Sequence, residues 1–136
     1  MGNPMVSNLL EAGYSVTVFD LSKAKAEDLL ALGATWSNNL TEALADSDVV
    51  ITSLPGPQQV TEVYLGDHGL LSHAKPGTTF IDTTTSSVEL AVQIVEEAKQ
   101  RDLSFIEAPI TNAIDGAARG ELAFFCLLYT SPSPRD

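Results

Sequence analysis

The sequence predicts an α/β fold of the doubly wound kind, a parallel sheet crossed right-handedly by helices. Short apolar or β-branched runs alternate with helical stripes along the chain. Val49-Val-Ile-Thr-Ser53 is nearly continuous and apolar after two acids, the pattern of a parallel strand buried on both faces. Gly13 and Gly33 stand where helices would close.

The elements follow in order. Val6, Leu9 and Leu10 share one helical face and Pro4 sits in a first turn that tolerates a missing N–H, which predicts a helix from about Pro4 to Ala12. Ser15 to Phe19 reads as a strand, Lys23 to Leu32 as a second helix, and Ala34 to Trp36 as a short strand. Asn39-Leu-Thr-Glu42 resembles an N-capping arrangement ahead of Ala43 to Ala45. After the Val49 to Ser53 strand, Leu54-Pro-Gly-Pro57 is a stop, Val60 to Gly66 a short helix, and the stretch through Gly77 a loop. Thr78 to Asp82 is the next strand. Ser86-Ser-Val-Glu89 reads as a capping box before the stripe Leu90, Ala91, Ile94, Val95, Ala98. Leu103 to Ile106 is a further strand, and a loop opens at Glu107.

With 136 residues and 44% apolar content, one globular domain can bury a core. Seven basic against eighteen acidic residues give a net charge of −11, the wrong sign for nucleic acid or anionic lipid. No apolar run approaches the ~20 residues of a membrane helix, so the expected location is cytoplasmic. The lone Cys126 forms no internal disulfide, and His68 and His73 are expected to be solvated, with no metal site.

Gly2 and Asp20 have the separation at which a dinucleotide-binding unit places its last turn glycine and its ribose-binding acid. Asp20 could equally cap the following helix, a role open to Ser22 as well. The surrounding words are more specific: Met1-Gly-Asn-Pro-Met5, Asn8-Leu-Leu, Ala12-Gly-Tyr14, Val16-Thr-Val-Phe-Asp20, Leu54-Pro55, Lys75-Pro-Gly77, Ile81-Asp-Thr-Thr-Thr85, Glu107-Ala-Pro-Ile-Thr111 and Gly116-Ala-Ala-Arg-Gly120. In this order and spacing, residues 1 to about 125 resemble the β-hydroxyacid dehydrogenase family, the group of 3-hydroxyisobutyrate dehydrogenase and 2-hydroxy-3-oxopropionate reductase.

The resemblance implies a Rossmann-type domain for residues 1–125 that lacks the family's first strand, keeping only Met1-Gly2 of its glycine-rich turn, with the C-terminal helical domain absent. Residues 126–136 resemble translated adapter sequence and are expected to form a non-native tail without function. The implied cofactor residues are Gly2, Asn3, Asp20, Leu54, Pro55, Gln59 and Thr84. Gly2 would let the first helix pack closely, and Asp20 would accept the ribose hydroxyls and repel a 2′-phosphate, so NAD is expected over NADP. Thr84 would touch the nicotinamide side; a plain turn hydroxyl is the alternative.

Thr111, Asn112 and Ala113 fall on the family's Ser-Gly-Gly substrate-carboxylate loop, and all three differ from it. The family's catalytic lysine would lie beyond residue 136, so no catalytic residue is assigned, and Lys23, Lys25, Lys75 and Lys99 read as solvated charges. The implied activity is hydride transfer between a small 3-hydroxy acid and its semialdehyde or oxo acid, by a full-length parent that is a homo-oligomer, with no turnover expected of this chain. A non-catalytic scaffold or cofactor-sensing module is the competing class. A 6-phosphogluconate dehydrogenase type would need basic groups for a sugar phosphate, which these residues do not supply.

Overall fold

A computed structural model describes residues 1–126 and the backbone of residues 128–129. Helix α1 spans Gly2–Glu11, and the chain leaves it through Gly13 at φ +92°, with the Tyr14 N–H donating to Leu9 O at 3.0 Å. Only glycine enters that left-handed region without a Cβ penalty, which is why the helix stops there. Strand β1, Thr17–Val18, is shorter than its β-branched sequence predicts. The second predicted helix opens as a 3₁₀ turn, Lys23–Ala26, and becomes α-helical only over Glu27–Ala31 (α2). Ser22 makes no side-chain cap bond there.

Strand β2, Thr35–Trp36, runs parallel to β1 and leads to α3, Leu40–Leu44. The predicted cap is present, Asn39 Oδ1 accepting from Glu42 N at 2.9 Å, while the Glu42 carboxylate reaches back one residue further than a closed box, to Asn38 N. Strand β3, Val49–Thr52, is followed by α4, Pro57–Leu65, and by a single helical turn, α5, Leu70–His73, inside the predicted loop. Strand β4, Thr79–Asp82, feeds α6, Val88–Gln100, and then β5, Ser104–Glu107. Past β5, where sequence suggested only a loop, β6 (Ile110–Thr111), α7 (Ala113–Ala118) and β7 (Ala123–Phe124) form a small antiparallel hairpin around a helix. The backbone of β8, Leu128–Tyr129, pairs antiparallel with β5. Otherwise the expectation for the tail lies outside the described residues.

The capping box is displaced by one residue. Ser87 is the N-cap, its Oγ accepting from Leu90 N at 3.3 Å, whereas the Ser86 hydroxyl is buried without a partner. Tandem serines offer two registers, and the helix begins at Val88.

Strands β3, β4 and β5 pair in parallel, with Thr52, Asp82 and Glu107 in one row across their carboxyl ends. One face of this sheet carries Phe80 and Phe105 into a core closed by Val60 and Tyr64 of α4, Ile94 and Ala98 of α6, and Leu70. Tyr64 meets both phenyl rings edge to face, with centroids 5.6 and 5.3 Å away. The other face departs from expectation: Val49 and Ile51 remain 54% and 41% exposed instead of buried. Strands β1 and β2 form a separate pair over a small cluster of Val18, Ala26 and Leu29.

The hydrogen bonds explain this split. The carbonyls of Val16 and Val18 accept from Thr35 and Ser37 of the β2 side, and those of Asp48 and Thr52 from Thr79 and Thr83 of the β4 side. In a parallel ladder alternate residues turn their backbone groups to opposite edges, so those of Thr17, Val49 and Ile51 point the other way. Among the described residues no strand pairs with those edges.

Candidate functional site

Three candidate residues hold equivalent places. Asp20, Leu54 and Thr84 each stand two residues beyond the end of a parallel strand, β1, β3 and β4 respectively. In an open parallel sheet those positions form the rim where ligands bind. Leu54 and Thr84 are joined directly, the Leu54 N–H donating to Thr84 Oγ1 at 2.9 Å. Thr84 is buried and its hydroxyl ties the loops after β3 and β4 together, more than the alternative of a plain turn hydroxyl ahead of a cap describes.

Asp20, beyond the end of β1 in the separate two-stranded pair, stays half-exposed. Its Oδ1 accepts from Ser22 N at 2.9 Å and lies 3.8 Å from Lys25 Nζ, so the acid caps the local turn and still presents carboxylate to solvent. Lys25 is therefore paired, and Lys23 stands 5.7 Å over the Trp36 ring. Lys75 pairs with Asp48 at 3.1 Å. Three of the four lysines read as solvated charges thus have a defined neighbour.

At α1 the expected reason for Gly2 is not visible: a Cβ there would meet nothing within 4 Å. The helix end itself suits an anion better than the glycine does. Its N-cap, Met1, has no side-chain cap bond and its first turn holds no acid, so the first N–H groups and the positive end of the dipole are uncommitted. Asn3 donates to Lys25 O at 3.2 Å, joining α1 to the turn that carries Asp20's partner. Pro55 is exposed and Gln59 half-buried in the first turns after β3, with Gln59 Oε1 3.8 Å from where a Gly56 Cβ would lie.

The loop at Thr111, Asn112 and Ala113 carries left-handed backbone on non-glycine residues. Asn112 has φ +72° and Ala113 φ +49°, both left-handed. Asparagine tolerates this conformation, whereas alanine adopts it at a cost of about 1 kcal/mol. The Asn112 amide donates to Glu121 O at 2.7 Å, and the Thr111 hydroxyl donates to Asn112 Oδ1 at 3.3 Å. The Asn112 amide therefore ties the loop to the segment that follows α7, and the Thr111 hydroxyl braces Asn112 within the loop. Asn8 adds a second tie, its amide donating to Ala117 O at 2.6 Å.

Two clefts flank these elements. One of about 850 Å³ opens beside Phe19, Asn38, Leu40 and His68, next to Asp20; another of about 300 Å³ is lined by Met5, Ile51, Ile81, Ile106, Ala108 and Phe124. None of Asp20, Leu54 and Thr84 lines either cleft. His68 and His73 are exposed, and no metal-ligand cluster exists among the described residues. No helix is long and apolar enough to cross a membrane among them.

Sequence reasoning missed a buried polar network beneath the rim. The Thr52 hydroxyl donates to Asp82 Oδ1 at 2.9 Å and accepts from Tyr64 OH at 2.7 Å, and Thr84 N donates to the same Asp82 oxygen at 3.1 Å. Burial raises the Asp82 carboxyl above its ordinary value despite these donors. Burial and then the Asp82 charge raise Glu107, and burial followed by Asp82 pushes Tyr64 well above the usual phenol value. One signal was available: each of the three apolar strands ends in a polar residue, Thr52, Asp82 or Glu107.

Comparison with known proteins sharpens the picture. The family model described as the NAD binding domain of 6-phosphogluconate dehydrogenase matches residues 1–126. The chain is 41% identical over 124 residues to the NAD-dependent L-serine dehydrogenase of Pseudomonas aeruginosa, covering 91% of this chain and 42% of that protein. It superposes on the Mycobacterium tuberculosis 3-hydroxyisobutyrate dehydrogenase solved with L-serine at a TM-score of 0.84 and 37% identity, covering 91% of this chain and 42% of that one. Against Psf3 in complex with NADP+ and 2-OPP the TM-score is 0.81 at 27% identity, with 89% and 43% covered. The chain spans about two fifths of the length of the curated relatives it matches.

Proposed function

The chain belongs to the β-hydroxyacid dehydrogenase-like NAD(P)-binding domains, and on that premise we propose that it supplies the dinucleotide-binding floor of an NAD-dependent oxidoreductase acting on a small hydroxy acid. The reading is supported by the equivalent strand-end positions of Asp20, Leu54 and Thr84, and by the Leu54–Thr84 hydrogen bond that joins two of those loops. The uncapped N-terminus of α1 fits the pyrophosphate of a dinucleotide, since free N–H groups and the helix dipole both favour an anion. Asp20 would receive the adenosine ribose, Leu54, Pro55 and Gln59 would border the cofactor's middle, and Thr84 would meet its nicotinamide end. Gly2 and Asn3 belong to the helix terminus. When bound, the nicotinamide supplies the hydride acceptor or donor.

NAD is the preferred form in this reading because the Asp20 carboxylate repels a 2′-phosphate. Lys25, 3.8 Å away, offsets part of that charge, so the preference is a ratio and not an exclusion. Similar structures hold NADP+, and one similar protein is named for NAD. Thr111, Asn112 and Ala113 would receive the substrate carboxylate, with a geometry altered from the family's glycine loop. The proposed substrate is a small 3-hydroxy acid, in a cytoplasmic, homo-oligomeric parent. The competing scaffold reading draws on the altered loop.

Fluorescence titration of the 1–136 chain with NADH and with NADPH tests the cofactor half. NADH should bind more tightly, and Asp20→Asn should bring the two affinities together; equal affinities in the wild type would overturn the assignment. No oxidation of hydroxyisobutyrate or glycerate is expected from this chain, because no group able to exchange the hydroxyl proton is assigned in it. Turnover by purified 1–136 would contradict that.

A further inference from the structure

Beneath the rim lies a pair of acids that the cofactor and substrate assignments do not use. Asp82 and Glu107 end neighbouring parallel strands in direct register, so their Cα atoms are about 4.8 Å apart and their side chains share one face. Both are buried, Asp82 at 1% exposure and Glu107 at 5%. Two donors, Thr52 Oγ1 and Thr84 N, converge on Asp82 Oδ1, while Asp82 Oδ2 is fully buried with no donor at all.

A buried carboxylate oxygen without a donor is costly, and two carboxylates side by side cannot both stay ionised cheaply. Among the described residues no lysine, arginine or histidine forms an ion pair with either acid. The titratable groups bearing on Asp82 are Glu107 from β5 and Tyr64 from α4; Thr52 from β3 and Thr84 beyond β4 are neutral. The phenol is an unsuitable proton source, since its hydroxyl already donates toward Thr52. A proton shared with Glu107, its neighbour in register, would give Asp82 Oδ2 a partner.

We propose that Asp82 and Glu107 hold one proton between them, and that this bridged pair is a positioning device that fixes the Leu54–Thr84 junction of the rim. The singly protonated pair keeps Asp82 Oδ1 aimed at Thr84 N, Thr84 Oγ1 in turn accepts from Leu54 N, and the ends of β3, β4 and β5 become one rigid ledge. Burial raises both carboxyls, and the Asp82 charge adds to the rise at Glu107. The positional consequence for a bound dinucleotide rests on the reading given under Proposed function. The bridge itself does not.

Carbon-13 titration of the side-chain carboxyls in the 1–136 chain tests the bridge. Asp82 Cγ and Glu107 Cδ should titrate as a coupled pair, each resonance responding to both steps, with one proton still held at pH 7. Two independent single-step titrations in the ordinary carboxylate range, leaving both ionised at pH 7, would overturn the proposal.

Amide exchange at Leu54 tests the positioning. Asp82→Asn replaces the shared proton with an amide donor and should keep Leu54 protected, while reducing Glu107 to a single step. Asp82→Ala should speed Leu54 exchange about tenfold, with the amides of Phe80 and Phe105 unchanged. Equal protection of Leu54 in both variants, or loss of Leu54 and strand protection together in the asparagine variant, contradicts a positioning role. Failure of the wild-type chain to bind NADH while the coupled titration holds would defeat the functional reading and leave the bridge standing.

Discussion

Among the described residues, eleven buried side chains close the core beside β3, β4 and β5, whereas β1 and β2 rest on three. The two regions are written in the same alternation of strand and helix. They differ in what each strand has for neighbours: β4 is paired on both edges, while β1 has β2 alone. A strand without its second partner gives up hydrogen bonds and shared burial, and it shortens; β1 and β2 are two residues each against four for β3, β4 and β5. The difference matters for the site. Asp20 sits on the weakly held region, and Leu54 and Thr84 on the strongly held one.

Truncating the large core should show the contrast at full size. Phe80 is fully buried against Tyr64, so Phe80→Ala should cost about 3–5 kcal/mol and unfold the chain as a whole in urea melts. Next in size is Gly116→Ala. The new Cβ would lie 2.4 Å from Asn112 Cβ, an overlap that should cost about 1–3 kcal/mol and displace the Thr111–Ala113 loop, visible in the amide shifts of residues 111–113. In the small region Val18→Ala should cost about 1–2 kcal/mol locally, raising exchange at Thr35 and Ser37 while leaving β4 protected. An equal loss of protection in both regions would mean that they unfold as one body.

Smaller effects refine the picture. Ala113→Gly relieves a left-handed backbone and should stabilise the chain by about 1 kcal/mol in the same melts. A pH series gives a slope instead of a step. Asp82 and Glu107 have carboxyls raised in the folded chain, so folding holds protons that the unfolded chain releases. Their stabilising contribution is full below the ordinary carboxylate range and falls as pH rises through the raised values. Melts from pH 4 to 8 should show this decline, and Asp82→Asn should flatten it.

The strongly held region was also the more legible one. Leu90, Ala91, Ile94, Val95 and Ala98 fix a single helical face, and their burial in α6 follows from spacing alone, Leu90 excepted as a half-buried flank. Glycine stops at Gly13 and Gly33 took the left-handed angles their positions required. The remainder depended on partners that a linear reading does not contain. Ser87 in place of Ser86 as cap was a choice between adjacent hydroxyls decided by tertiary burial. Exposure of Val49 and Ile51 came from an interrupted sheet, since a continuous apolar run assumes cover on both faces. α5 and the β6–α7–β7 hairpin are too short to impose a period.

The site divides in the same way. Asp20, Leu54 and Thr84 could be named because the family resemblance marks those strand ends, and the structure brings Leu54 and Thr84 within one hydrogen bond. The Thr52–Asp82–Glu107 row could not, because it exists only once the register of three strands is set. Ala113 at φ +49° gave no compositional sign, unlike Asn112.

Hydrogen exchange of the 1–136 chain, with and without saturating NADH, bears most directly on the claim that one dinucleotide spans both regions. The account predicts added protection from Thr17 to Ser22 and at Leu54 together, greater in the first segment because it is the more weakly held. NADH binding that leaves both segments unchanged, or protects residues away from this rim, would contradict it.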